Sequence, residues 1–258
     1  MAYTLPEADQ SQRHVSFREL RELAAHPPIR AWIELRRDQI ACTGWDVIPK
    51  SPPRSWMWGP VAMRRYSSRR SEAVRFFRHP DLDRASFASW LGQVAEDLMV
   101  TDAVAVRLRK VPGGGGLLGG DLRSLDLLDG STIDPLTDEM GRASGFAQYL
   151  HEVQRHDFVA AAGFPPSSSV LACYGTADVL YLRMNARRYT PFGYSPLEQA
   201  IVRRDHGIID MDATAGKFRQ AASERWGRAC LSFLADVFDR TLEDCGAADM
   251  RWKWEDAP

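Results

Sequence analysis

Arg183-Met-Asn-Ala-Arg-Arg-Tyr-Thr-Pro-Phe-Gly-Tyr-Ser-Pro-Leu-Glu-Gln199 joins an apolar, strand-like run (Val179 to Leu182) to the start of a helix. Pro191 and Pro196 each fix φ and push the preceding residue out of helical geometry. Gly193 permits a tight backbone between them. Ser195 falls at an N-cap, Pro196 at the first helical position and Glu198 at N3, the arrangement of a capping box. The segment is therefore read as a strand–turn–helix junction. Its structural residues are Arg183, Asn185, Arg187, Pro191, Gly193, Ser195, Pro196 and Glu198.

Working outward, residues 1–15 are polar and read as a flexible N-terminus. Phe17, Leu20, Leu23 and Ala24 have helical spacing that Pro27-Pro28 interrupts. A second helix is expected from Ile29 to Ala41, burying Trp32, Ile33, Leu35 and Ile40. Trp45, Val47 and Pro49 alternate as a short strand, and residues 50–72 read as irregular. Ser86 caps a helix to about Met99 whose buried face carries Phe87, Trp90, Leu91, Val94 and Leu98. Thr101 to Arg109 and Leu122 to Leu128 form a hairpin across Gly113 to Gly120, with shorter strands near Gly145 to Leu150, Val170 to Cys173 and Val179 to Leu182. Beyond Ser195, one helix is expected over Pro196 to Met211. A longer amphipathic one follows over Ala215 to Glu243, with Trp226, Cys230, Phe233, Leu234, Val237, Phe238 and Leu242 on one side. Gly246 reads as its stop, and Met250 to Trp254 as a closing strand. The fold class is α+β, a mixed or antiparallel sheet flanked by helices.

Bulk properties set outer bounds. The 258 residues are 45% hydrophobic and 26% charged, a globular composition. With 33 basic and 34 acidic residues the net charge is −1, whereas a protein that grips DNA through bulk electrostatics is far more basic. No apolar run approaches a membrane span, and Met1 to Ser11 lacks the apolar core of a signal peptide. Cys42, Cys173, Cys230 and Cys245 are spaced as neither a disulfide framework nor a zinc site, so free, buried thiols are expected.

Three constellations invite a chemical reading. Gly113-Gly-Gly-Gly-Leu-Leu-Gly-Gly120 lacks the Gly-Lys-Ser/Thr ending of a phosphate loop and lies between strands, so it reads as a hairpin tip. Asp205, His206, Asp210 and Asp212 suggest a metal site, but at helical spacing only some share a face. Asp97, Asp102, Asp126 and Asp129 read as caps and turn residues. No catalytic set, metal site or cofactor is expected. Arg64, Arg65, Arg69, Arg70, Arg75 and Arg78, interleaved with Tyr66, Phe76 and Phe77, form the one basic patch, open to DNA or to a neighbouring subunit.

The junction resembles the "R-x-N-P-R … Y-G-x-S-P-x-E" segment of tailed-bacteriophage portal (head–tail connector) proteins. Other stretches resemble that family in the same order. Ile29-Arg-Ala-Trp-Ile-Glu-Leu-Arg-Arg-Asp-Gln-Ile-Ala41 and Gly44-Trp-Asp-Val-Ile-Pro49 are similar to its opening. Ala95-Glu-Asp-Leu-Met-Val-Thr-Asp-Ala-Val-Ala-Val-Arg107 is similar to its helix-to-strand step. Leu125-Asp-Leu-Leu-Asp-Gly-Ser-Thr-Ile-Asp-Pro135 is similar to "L-x-x-L-D-x-x-T-I-x-P", and Asp138 to Gly141 and Phe146-Ala-Gln-Tyr149 follow.

The resemblance implies a structural protein of the virion: a ring, usually a dodecamer, at one capsid vertex. Such a ring nucleates procapsid assembly, docks the packaging terminase, passes double-stranded DNA and receives the head–tail connector, with no cofactor and no enzymatic step. Residues 16–200 correspond to the family's wing. Residues 201–258 resemble its late helix and closing wing strand, so the resemblance implies that the stem and clip are missing near 205–215. The alternative is a truncated prophage remnant or an interaction module that binds portal or capsid subunits without forming a channel. A DNA-processing enzyme is the third and least supported reading. The expected location is the virion or the host cytoplasm, with no membrane partner.

Overall fold

The computed structural model describes residues 15–50, 60–83, 85–137, 143–149, 170–187, 192–203 and 209–255. Within them the chain is α+β. Helices α1 (Phe17–Ala24) and α2 (Pro27–Ala41) lead into strand β1 (Gly44–Pro49). Helices α3 (Pro60–Arg78) and α4 (Phe87–Val100) come next. Strands β2 (Val104–Lys110), β3 (Leu122–Leu128), β4 (Ile133–Thr137), β5 (Ala143–Tyr149), β6 (Val170–Tyr174) and β7 (Val179–Leu182) follow. Helices α5 (Pro196–Ala200), α6 (Met211–Ala221) and α7 (Glu224–Asp244) precede strand β8 (Met250–Glu255).

All described strand pairs are antiparallel, in three small sheets ordered β1-β8, β3-β2-β7 and β4-β5-β6. Helix α4 is the hub. Phe87, Trp90, Leu91, Val94 and Leu98 are buried, as their spacing requires, and the Trp90 indole donates to the Leu125 carbonyl at 2.9 Å. Around it an aromatic cluster unites distant segments: Trp45 stacks on Trp252 at 4.6 Å, and Phe77, Phe87 and Phe238 pack against Trp252. These contacts bury aromatic area and add edge and stacking attraction. No helix among the described residues is long and apolar enough to cross a membrane.

Several expectations are corrected. Pro27 and Pro28 begin α2, at positions where a missing N–H costs nothing. Leu35 is 44% exposed. The arginine-rich stretch is a helix from residue 60 onward; on its inward side Ala73 and Phe77 are buried and Tyr66 and Arg70 partly so, and the arginine there hides the apolar period. Arg70 is satisfied there by the Asp46 carboxylate and the Val47 carbonyl.

The helix expected over 196–211 stops at Ala200. Ile201 turns extended, Arg203 bridges Ile209, and Asp210 caps α6 by accepting the Ala213 N–H at 3.1 Å. The amphipathic helix expected over 215–243 is two helices, α6 and α7, broken where Ser223 takes an extended conformation ahead of Glu224. Asp205 and His206 lie outside the described residues. Of the free cysteines, Cys230 and Cys245 are buried and Cys42 and Cys173 exposed.

Candidate functional site

The junction is organised by Asp102, which follows the last turn of α4. The Asp97 carbonyl accepts the N–H groups of both Thr101 and Asp102, each at 2.9 Å. Asp102 then adopts φ 48° and is fully buried. Helices commonly end in this left-handed conformation on glycine, with asparagine or aspartate the next most tolerant residues. Here the side chain is used. Its Oδ1 accepts the Met184 N–H at 2.8 Å, and its Oδ2 accepts those of Asn185 at 2.8 Å and Tyr194 at 3.1 Å. One buried carboxylate thereby holds both limbs of the turn after β7. Charge-assisted bonds of this kind are stronger than neutral ones.

Gly193 has a physical reason at that spot. A Cβ there would overlap Asp102 Oδ2 and the Asp102 carbonyl oxygen. Ala186 and Gly193 form an antiparallel bridge across the turn. Arg188, Tyr189, Thr190 and Pro191 lie outside the described residues.

The far side of the junction is equally tied. Ser195 Oγ accepts the Glu198 N–H at 3.0 Å, the expected N-cap bond, with Pro196 at the first helical position. The buried Glu198 carboxylate meets the Arg187 guanidinium at 2.5 Å, and Arg187 lies over the Tyr194 ring at 4.1 Å from its centroid. Phe192 packs edge-on against Phe17 of α1 at 5.6 Å. Asn185 contributes through its backbone N–H, and Arg183 is half-buried beside the turn.

Helix α1 is pinned across the same region. Arg21 donates to Asp97 at 2.9 Å and to Asp129 at 3.2 Å, while Asp129 also caps the turn at Ser131. Burial pushes the Asp97 carboxyl up to about 7, against the opposing pull of Arg21 and with help from the Asp129 charge. Asp134 is raised to about 6, again by burial.

The six arginines of the basic patch separate into two sets. Arg69 reaches Asp249 and the Gly246 carbonyl, tying α3 to the turn ahead of β8, and Arg70 reaches Asp46, tying it to β1. Arg64, Arg65, Arg75 and Arg78 are exposed. Glu72, the single acid of α3, turns away to accept the Leu118 N–H at 2.6 Å. Among the described residues no group of three or more His, Cys, Asp or Glu side chains is placed to hold a metal.

Sequence reading assembled the junction residues but assigned Asp102 only a turn role. Its partners lie more than 80 positions away in the chain, beyond any local signal. The one hint was an aspartate where a helix C-terminus calls for glycine.

No family model matches this sequence, and no curated protein matches it. Solved structures do. One is a chain in the neck of an empty gene transfer agent (GTA) particle computed with C6 symmetry, at 10% identity and TM-score 0.50, covering 88% of this chain and 46% of that one. Another is a chain in the virion of a native GTA particle, at 9% identity and TM-score 0.57, covering 93% of this chain and 83% of that one. The present chain thus spans about half the length of the first and most of the second. At such identities the likeness is one of fold.

Proposed function

We propose that this chain is a portal-like structural subunit of a phage or phage-like particle, self-assembling into a ring at the head–tail vertex and carrying out no catalysis. The observation that supports this most is the Asp102-centred junction. It gives a physical purpose to the residues that resemble the portal signature, in a fold similar to GTA neck and virion components. The bonds made by Asp102, Gly193, Ser195 and Glu198 are those of a rigid corner, which suits a load-bearing role. On this reading residues 16–200 form the wing and 201–258 return to it. Capsid, terminase and connector proteins are the partners, and double-stranded DNA passes through the ring.

Light scattering of the purified chain, with negative-stain imaging, tests this directly. Closed rings are expected. A monomer at every concentration would overturn autonomous ring formation. One observation favours a second reading in that event: the chain spans only 46% of the GTA neck chain, as a wing-only module lacking stem and clip would. Such a module, shortened near 205–215, would bind portal or capsid subunits without building a channel. It would remain monomeric alone and enter mixed rings when refolded with a full-length portal.

A further inference from the structure

Helix α3 carries six arginines against one glutamate. The rest of the chain therefore holds 27 basic and 33 acidic side chains, a net of −6. Four of the arginines are not used internally: Arg64, Arg65, Arg75 and Arg78 make no ion pair with any described residue. Arg64, Ser68, Ser71, Arg75 and Arg78 recur at alternating steps of four and three. That spacing places them in one seam along the helix, about 21 Å long at roughly 1.5 Å per residue. Opposite runs the buried seam of Ala73 and Phe77. The serines in the middle are short enough to let another element approach the helix closely.

Composition decides what approaches. Val61 is 81% exposed and Met63 41% exposed at the N-terminal end of the same helix, and α3 contains no lysine. Arginine and methionine without lysine is the composition of a protein–protein interface core. A phosphate backbone is served as well by lysine and gains nothing from an exposed valine and methionine.

We propose that this face docks onto an acidic surface of a second copy of the chain. A uniformly cationic face repels itself, so the contact is not two-fold symmetric. It joins two different surfaces head to tail, and such contacts generate rings when their rotation closes. The inference rests on the self-assembly reading above and names the surface that carries it.

The test is a triple variant, Arg64→Glu/Arg75→Glu/Arg78→Glu, beside Arg64→Lys/Arg75→Lys/Arg78→Lys. Light scattering is run at roughly 0.05 M and roughly 0.5 M salt, across which screening shortens the reach of exposed charges. The unaltered chain is expected to assemble at low salt and to lose mass at high salt. The glutamate variant should stay at the mass of one chain at low salt with an unchanged circular dichroism spectrum, and the lysine variant should still assemble. A glutamate variant that assembles like the parent overturns the proposal and leaves ring formation standing. A parent that never assembles overturns both. Anisotropy with a short labelled DNA duplex supplies the last arm: binding lost in the glutamate variant while assembly persists assigns the face to DNA and overturns the second-copy contact. If the triple variant misfolds, the single changes Arg64→Glu and Arg75→Glu, both at exposed positions, are read in the same way.

Discussion

Position 102 shows how one side chain can repay an unfavourable backbone. Glycine would fit the left-handed turn after α4 without strain, but it would leave the N–H groups of Met184, Asn185 and Tyr194 without the carboxylate that now gathers them. Asp102→Asn separates the two effects, since asparagine also tolerates this conformation. Its amide can accept from Met184 but turns an NH2 group toward the N–H groups of Asn185 and Tyr194. The Tyr194 N–H also donates to the Asn185 carbonyl at 3.0 Å, so the Asn185 donor is the one that loses its partner, and a loss of about 1–3 kcal/mol is expected in urea unfolding followed by tryptophan fluorescence. A change below about 0.5 kcal/mol, the ordinary scatter of surface substitutions, would mean that the carboxylate does not order the turn.

At the scale of elements, α1 is held to α4 by Arg21, and this attachment carries a pH signature. The folded Asp97 carboxyl sits near 7, above the ordinary 3.8. Below about pH 4 both folded and unfolded chains keep the proton, and the contribution to stability is complete. As pH rises toward 7 the unfolded chain releases its proton first, so stability falls; above 7 the contribution is gone. Asp97→Asn cannot titrate, and its unfolding midpoint should gain on the parent's between pH 4 and 7. Asp134, raised to about 6, leaves a smaller slope of the same sign in both proteins. Parallel pH profiles would show that Asp97 is not the titrating group.

Element boundaries were legible where the signal was local. Ser86 and Ser195 as caps, Gly246 in the left-handed region and the strand at Val179 to Leu182 all stand as read. Reading failed where tertiary partners replaced local pattern. The inward side of α3 includes an arginine that pairs with Asp46 and the Val47 carbonyl, and the continuous helix expected after Ser195 is interrupted by a bridge between Arg203 and Ile209. The junction's own residues were visible in sequence, whereas the carboxylate that organises them was not.

For the whole molecule, the β1-β8 ribbon matters most. Val47 faces Trp252 and Trp45 faces Trp254 across it. Met250 and Trp252 are buried in the same core as α4 and α7. Trp254 adds an indole bond to the Leu231 carbonyl at 2.7 Å. Ending the chain after Asp249 removes this strand and uncovers Val47, Phe77 and Phe238. Loss of one cooperative unfolding transition and binding of a hydrophobic dye are expected of the shortened chain. A sharp, parent-like melt would show that β8 is dispensable.

The ribbon also governs timing. Strand β1 is synthesised early, yet its partner is made about 200 residues later. Such distant pairings are slow to form because a long loop must close before any contact rewards it. While the nascent chain lengthens, the indole of Trp45 and the edge of β1 wait without their mate, exposed to every other unfinished chain nearby. The core that Trp45 and Trp252 share cannot close until β8 has emerged, so the order of synthesis sets when this fold can be completed.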